Sequence, residues 1–154
     1  MTSQITDSPL NIDMEELNLT SQGSMVANLG IHYTYVGTAL VKGTMPVDER
    51  TCQPFGILHG GASLAFAETL AGVGSIAILQ EEEKDVNPDE RSAAVGQQVS
   101  GNHISSAEVG DTVIGEATLL HKGRSSHVWH VDIFSQSTGK LVSTVQVLYC
   151  ILKK

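Results

Sequence analysis

One carboxylate, Glu68, stands in the least polar stretch of the chain, Phe55 to Leu79, whose only other ionisable side chain is His59. Burying a carboxylate among apolar neighbours is costly unless it is paired or used. Burial also lifts a carboxyl pKa toward values suited to proton transfer near neutrality. Glu68 is therefore the first candidate for a base or nucleophile. His59-Gly60-Gly61 precedes it, where a long helix is expected to begin. The first N–H groups of a helix have no partner within it and carry the positive end of its dipole. They suit the negative oxygen that develops when a carbonyl is attacked. Two glycines leave that backbone open to a ligand.

Glu68 follows Gly60 by eight residues, about 12 Å along a helix axis. A base must come within about 3 Å of its reacting partner. One helix cannot easily apply its own first N–H and its own Glu68 to the same carbonyl. Two copies related by a two-fold axis can, with Glu68 of one facing Gly60 of the other. The spacing thus points to a homodimer with two sites at its interface.

The elements around this run are read from pattern. Met1 to Leu10 is polar and expected to fray. Asp13 is placed to cap a short helix through Ser21, with Glu15 and Glu16 in its first turn. Leu29 to Val36 and Thr38 to Met45 read as a strand pair broken near Gly37, and Pro46 to Leu58 as a loop. The long helix should run from His59 or Gly60 to about Gln80, followed by a charged, solvated connection from Glu81 to Arg91. Strands are expected over Ala93–Ile104 (interrupted by Gly), Asp111–Lys122 and His127–Phe134, and a last, central one over Leu141–Leu152. In His127–Phe134, Trp129, Val131 and Ile133 share one face and Val128, His130 and Asp132 the other. Ser137 to Lys140 reads as a turn. One helix and four to six antiparallel strands make an α+β domain with the helix packed on one sheet face. Small residues along the helix (Gly60, Gly61, Ala65, Gly72, Gly74) would let a curved sheet close around it. The division expected is an N-terminal segment over 1–24 and a single domain over 25–154.

The 154 residues suffice for one domain with a real core. A net charge of −8 and no basic patch argue against a nucleic-acid partner. No Lys or Arg precedes Lys42, so the basic start of a signal or transit peptide is missing. Cys52 and Cys150 form no CxxC and no zinc pattern, and are read as reduced thiols in a cytoplasm. Gly60 to Leu79 is long enough to span a membrane. Its Ala, Gly and Ser content and central Glu fit a buried soluble helix better. His127 and His130 lie three apart, on opposite faces of a strand, which argues against a metal site.

The run Gln53-Pro54-Phe55-Gly56-Ile57-Leu58-His59-Gly60-Gly61-Ala62-Ser63-Leu64-Ala65-Phe66-Ala67-Glu68-Thr69-Leu70 resembles the signature of hotdog-fold thioesterases. The similarity continues through Val99-Ser100-Gly101-Asn102-His103 and Lys122-Gly123-Arg124-Ser125-Ser126-His127-Val128-Trp129, and covers roughly residues 25 to 152. The branch it resembles holds the enterobactin-pathway proofreading thioesterase and the dihydroxynaphthoyl-CoA thioesterase. Arthrobacter-type 4-hydroxybenzoyl-CoA thioesterases and phenylacetate-pathway relatives also belong to it. The resemblance implies an antiparallel sheet wrapped around one long central helix, in a homodimer at least and a homotetramer as a dimer of dimers. It implies hydrolysis of an acyl-CoA, aryl or medium-chain, to free acid and CoA, with no metal or redox cofactor. Glu68 would activate water or attack the thioester carbonyl, and the Gly60 N–H would polarise that carbonyl. Gln53 and His59 would position the thioester, with Gly61 and His103 beside the ligand. The family commonly carries Ser or Thr four residues after the Glu, where it helps place water; this chain has Gly72. Thr69 and Ser75 are nearby but do not match that position.

Plainer readings stand beside these. Glu68 could be a hydrogen-bonded structural carboxylate, His59 a helix-terminal residue, Gln53 a loop residue and His103 a strand residue. Lys122, Arg124, Ser125 and Ser126 could hold CoA phosphates by charge-assisted bonds, or form an ordinary basic turn. The rivals for the whole chain are a non-catalytic acyl-CoA-binding or regulatory hotdog module and a hotdog dehydratase or hydratase.

Overall fold

A computed structural model describes residues 5–153. Two short helices, α1 (Met14–Thr20) and α2 (Met25–Asn28), precede strands β1 (His32–Val36) and β2 (Leu40–Pro46). The long helix α3 (Gly60–Glu82) follows a loop. After a 3₁₀ turn at Pro88–Glu90 come β3 (Ala93–His103), β4 (Thr112–Lys122), β5 (Ser126–Ser135) and β6 (Leu141–Leu152). The six strands form one antiparallel sheet in the order β1-β2-β4-β5-β6-β3. The sheet wraps α3, which touches all six strands: this is the hotdog arrangement.

Alternation decides which side of each strand meets the helix. Trp129, Val131 and Ile133 on β5 are fully buried, as are Val145 and Val147 on β6. Each large apolar side chain removed from water contributes about 1.5–3 kcal/mol. From α3, Phe66, Ala67, Leu70 and Ala71 complete this core. Small residues set the approach distance. A Cβ on Gly74 would lie 2.6 Å from the Trp129 ring, and the indole Nε1–H donates to Ser75 Oγ at 2.9 Å. That bond satisfies both buried polar groups. Helix α3 is long and apolar enough to cross a membrane, but most of its apolar window is buried inside the sheet.

Strand β6 lies between β5 and β3, the interior position its composition predicts. Strand β3 ends the sheet. Its 11 residues are mostly exposed, and one side of its backbone pairs with no strand among the described residues. The Asp13 cap forms: its carboxylate accepts from the Glu15 and Glu16 N–H groups at 3.0 Å.

Two expectations are corrected. Helix α3 runs two residues past Gln80, because Glu81 and Glu82 are good helix formers and no breaker follows them. Residues 7–10 are tied down rather than frayed. The Asp7 carboxylate accepts from the Ala39 and Leu40 N–H groups at 2.7 and 3.0 Å and from Tyr35 Oη at 2.6 Å. The Leu10 N–H donates to Val36 O. The expected fraying of Met1–Gln4 lies outside the described residues.

Candidate active site

The entrance of α3 distributes its first N–H groups unevenly. His59 is the N-cap, and its Nδ1 accepts from the Gly61 N–H at 2.8 Å. The Ala62 and Ser63 N–H groups go to His59 O at 3.0 and 3.2 Å. The Gly60 N–H has no partner among the described residues. His59 therefore spends its ring on the cap and leaves Gly60 as the open donor at the positive end of the helix. Gly61, by the same bond, has no free N–H to offer.

A cavity of about 390 Å³ opens at this point, lined by Gln53, Gly60, Ser63, His103 and Ser143. The His103 ring lies against Gly60: a Cβ there would stand 2.5 Å from Nε2. Its Nδ1 is 2.9 Å from Ser143 Oγ, which fixes the ring plane. Gln53 Oε1 accepts from the Phe55 N–H at 3.1 Å, leaving its amide hydrogens without a partner among the described residues. Gly60, Gln53 and His103, separated by up to 50 residues in sequence, thus converge on one opening.

Glu68 belongs to a different cavity, of about 540 Å³, on another flank of α3. The side chain is half-buried rather than enclosed, because it rests on Gly96 of β3 on one side and opens onto this cavity on the other. Apolar residues of the N-terminal segment, among them Ile12, Leu17, Met25 and Val26, form the opposite wall. Two glycines make room beside the carboxylate. A Cβ on Gly96 of β3 would collide with Glu68 Oε1. A Cβ on Gly72 would collide with Tyr149 Oη and lie 3.0 Å from its Cζ. That hydroxyl donates to Glu68 O at 3.0 Å. Burial, with Glu68 nearby, pushes the Tyr149 pKa up to about 12, so the phenol keeps its proton.

The two openings are about 12 Å apart along α3, eight residues at the helical rise. One chain thus offers a polarising N–H in one cavity and a carboxylate in the other. The Lys122–Ser126 turn is remote from both. Lys122 Nζ forms an ion pair with Glu82 at the last residue of α3, about 21 Å along the axis from Glu68. Arg124 and Ser125 are exposed, and the Arg124 guanidinium has no partner among the described residues. The turn is held by Gly123 N–H to Ser126 O at 2.8 Å and Ile151 N–H to Ser125 O at 2.9 Å. His127 and His130 point to opposite faces; His127 is buried, and His130 pairs with Asp132 at 3.0 Å.

Two residues beside Glu68, Tyr149 and Gly96, escape the sequence reading. Each carried a faint signal. Tyr149 is a polar-tipped aromatic at the buried parity of β6, and Gly96 falls in a strand where glycine otherwise weakens pairing.

The thioesterase superfamily profile matches residues 55–142. The 1,4-dihydroxy-2-naphthoyl-CoA hydrolase of Escherichia coli is 37% identical over 141 residues, 92% of this chain and 96% of that protein. The proofreading thioesterase EntH of Cronobacter sakazakii is 39% identical over 142 residues, again 92% and 96%. A crystal structure of a thioesterase from Haemophilus influenzae superposes with a TM-score of 0.81 at 32% identity, over 94% of each chain. With one long helix wrapped by six antiparallel strands and a carboxylate on that helix, the chain belongs to the thioesterase superfamily of hotdog-fold hydrolases.

Proposed function

We infer that the protein hydrolyses an acyl-CoA, aryl or medium-chain, to the free acid and CoA, at sites shared between two chains of a homodimer. The observation that carries this reading is the single open N–H of the α3 cap, that of Gly60, beside Gln53 and His103. A thioester carbonyl accepting from Gly60 would have its carbon exposed to attack, and the developing oxyanion would be met by the helix dipole. The carboxylate that completes the chemistry is too far along the same helix, so it comes from the partner. Glu68 then acts as general base toward water or as nucleophile.

The unpaired edge of β3 supports the dimer. A long exposed edge invites pairing with another strand. Two β3 edges joined antiparallel across a two-fold axis would continue the sheet and set the two α3 helices side by side. Phe55, 88% exposed next to Gln53, is a further apolar surface that an assembled neighbour would cover. A second pairing of such dimers gives the tetramer that the resemblance implies. The relative named for a naphthoyl-CoA favours an aryl group in the cavity beside Glu68, whose volume and apolar wall suit a ring. The CoA nucleotide falls to Arg124, Ser125 and Ser126, with Lys122 already engaged by Glu82.

The test is thiol release from a panel of acyl-CoAs, monitored with an Ellman reagent, for the wild type and Glu68→Gln. The amide is similar in size but can neither take a proton nor attack. A loss of about 100- to 10,000-fold in kcat is expected for the best substrate. Wild-type turnover by Glu68→Gln would remove Glu68 from the site, and no thiol release from any acyl-CoA would refute the substrate class.

A further inference from the structure

The hydroxyl groups that α3 and β6 place near Glu68 differ in what they are free to do. Thr69 Oγ1 is spent on Ala65 O at 2.7 Å, one turn back in its own helix. Ser75 Oγ faces the core and accepts from Trp129. Tyr149 Oη donates its proton to Glu68 O and keeps its acceptor capacity, since a phenol oxygen both donates and accepts. Tyr149 is only 8% exposed, yet it lines the same cavity as the carboxylate.

Two close approaches show that this placement is built in. The hydroxyl fills the volume that any side chain at Gly72 would need, one helical turn after Glu68. Across the sheet, Gly96 is the register partner of Tyr149. The bare face of Gly96 meets the Glu68 carboxyl and the Tyr149 ring together: its Cβ would stand 3.4 Å from Glu68 Cδ and 3.8 Å from Tyr149 Cζ. The sheet is bulged immediately after, between Gly96 and Gln98. Carboxyl and tyrosine ring thereby meet at one glycine, although the tyrosine lies 81 residues from Glu68 in sequence.

We propose that Tyr149 is a further catalytic residue, whose hydroxyl oxygen accepts one hydrogen of the attacking water while Glu68 accepts the other. It rests on the reading above, with Glu68 as base. Held by both hydrogens, the water turns a lone pair to the thioester carbon. Its oxygen bonds to that carbon as its proton passes to Glu68. Collapse breaks the C–S bond, and the proton goes to the departing thiolate. Because the phenol donates to a backbone carbonyl, it presents an acceptor to the water, the polarity that positioning needs.

Tyr149→Phe removes only the oxygen. Its kcat for the best acyl-CoA is expected to fall about 10- to 100-fold, the scale of losing the alignment of a reacting group, with KM unchanged. A tie between β6 and α3 alone would lower the melting temperature and leave kcat intact. The rescue is specific. Gly72→Ser alone should be impaired by collision with the tyrosine, and Tyr149→Val alone by loss of the hydroxyl. Combined, they should regain kcat over either single variant, because a serine hydroxyl then occupies the vacated space. Wild-type kcat in Tyr149→Phe overturns the proposal. If that variant does not fold, a double variant no faster than Tyr149→Val overturns it instead. Glu68→Gln run in parallel separates the two readings. If it is inactive while Tyr149→Phe is unimpaired, only the tyrosine's role fails. If it is active, the base reading fails first.

Discussion

Gly96 and the Glu68 carboxylate are in contact across the gap between β3 and α3, at a point where no side chain on β3 could be accommodated. The strand thus supports the carboxylate with bare backbone. The first expected outcome follows directly. Gly96→Ala leaves the buried core untouched but pushes Oε1 aside, and a displacement of about 1 Å at a reacting group can cost about 100-fold. The measurement is kcat alongside a thermal melt. A folded Gly96→Ala protein with normal kcat would show that the carboxylate position is not critical.

Mixed dimers examine the sharing of sites. Gly60→Pro removes the open N–H at a helix position where proline is well tolerated, and it crowds His103. Neither Gly60→Pro nor Glu68→Gln homodimers should turn over substrate. Heterodimers of the two contain one site free of both lesions, so up to about half of the wild-type activity should return. Tagged, purified heterodimers without activity would place both groups on one chain.

Arg124 gives a prediction about binding without chemistry. It is exposed, cationic and unpaired among the described residues, in a chain of net charge −8. Arg124→Ala should raise KM for acyl-CoA and leave kcat alone, the mark of lost uniform binding. Salt should shrink the difference by screening. An acyl-pantetheine, lacking the nucleotide, should not distinguish variant from wild type. Equal damage with both substrates would return the turn to an ordinary structural role.

His127 makes stability sensitive to acid. It is buried in β5, and its Nδ1 has no hydrogen-bond partner among the described residues. Burial holds its pKa below the ordinary histidine range, with Lys122 and His121 acting in the same direction and Glu82 against them. A depressed folded pKa means that the unfolded chain binds the extra proton first. Stability is then complete above about pH 6.5 and declines as pH falls toward the folded value. Melting temperatures between pH 8 and pH 5 should therefore fall more steeply for the wild type than for His127→Phe. Parallel slopes would exclude this histidine as the cause.

The helix and its entrance were legible because both are local. A continuous apolar run fixes α3, and the His59 cap and Gly60 donor lie within two residues of each other. Strand parity on β5 was legible for the same reason, since a period of two needs only a few residues. The second half of the site was not. Tyr149 and Gly96 meet Glu68 through strand pairing, and nothing near either residue records that register. Glu68 itself was read as buried because its sequence neighbours are apolar. One side of it opens onto a cavity instead, while the other rests on Gly96 of β3. In the sequence Lys122 groups with Arg124 as a phosphate-binding candidate, because its partner Glu82 is 40 residues away from it.

The wall facing Glu68 is made by Ile12, Leu17, Met25 and Val26, residues that come before the sheet begins. Polar bonds tie that segment to the strands at Asp7, Ser8, Leu10 and Asn18, while the four wall residues themselves contribute apolar side chains. The candidate reacting groups, by contrast, are carried on α3 and β6 and braced by β3. Mutational drift therefore has unequal freedom in this molecule. The outline of the cavity can be redrawn, one side chain at a time, without disturbing the carboxylate, the capped helix or the strands that brace them.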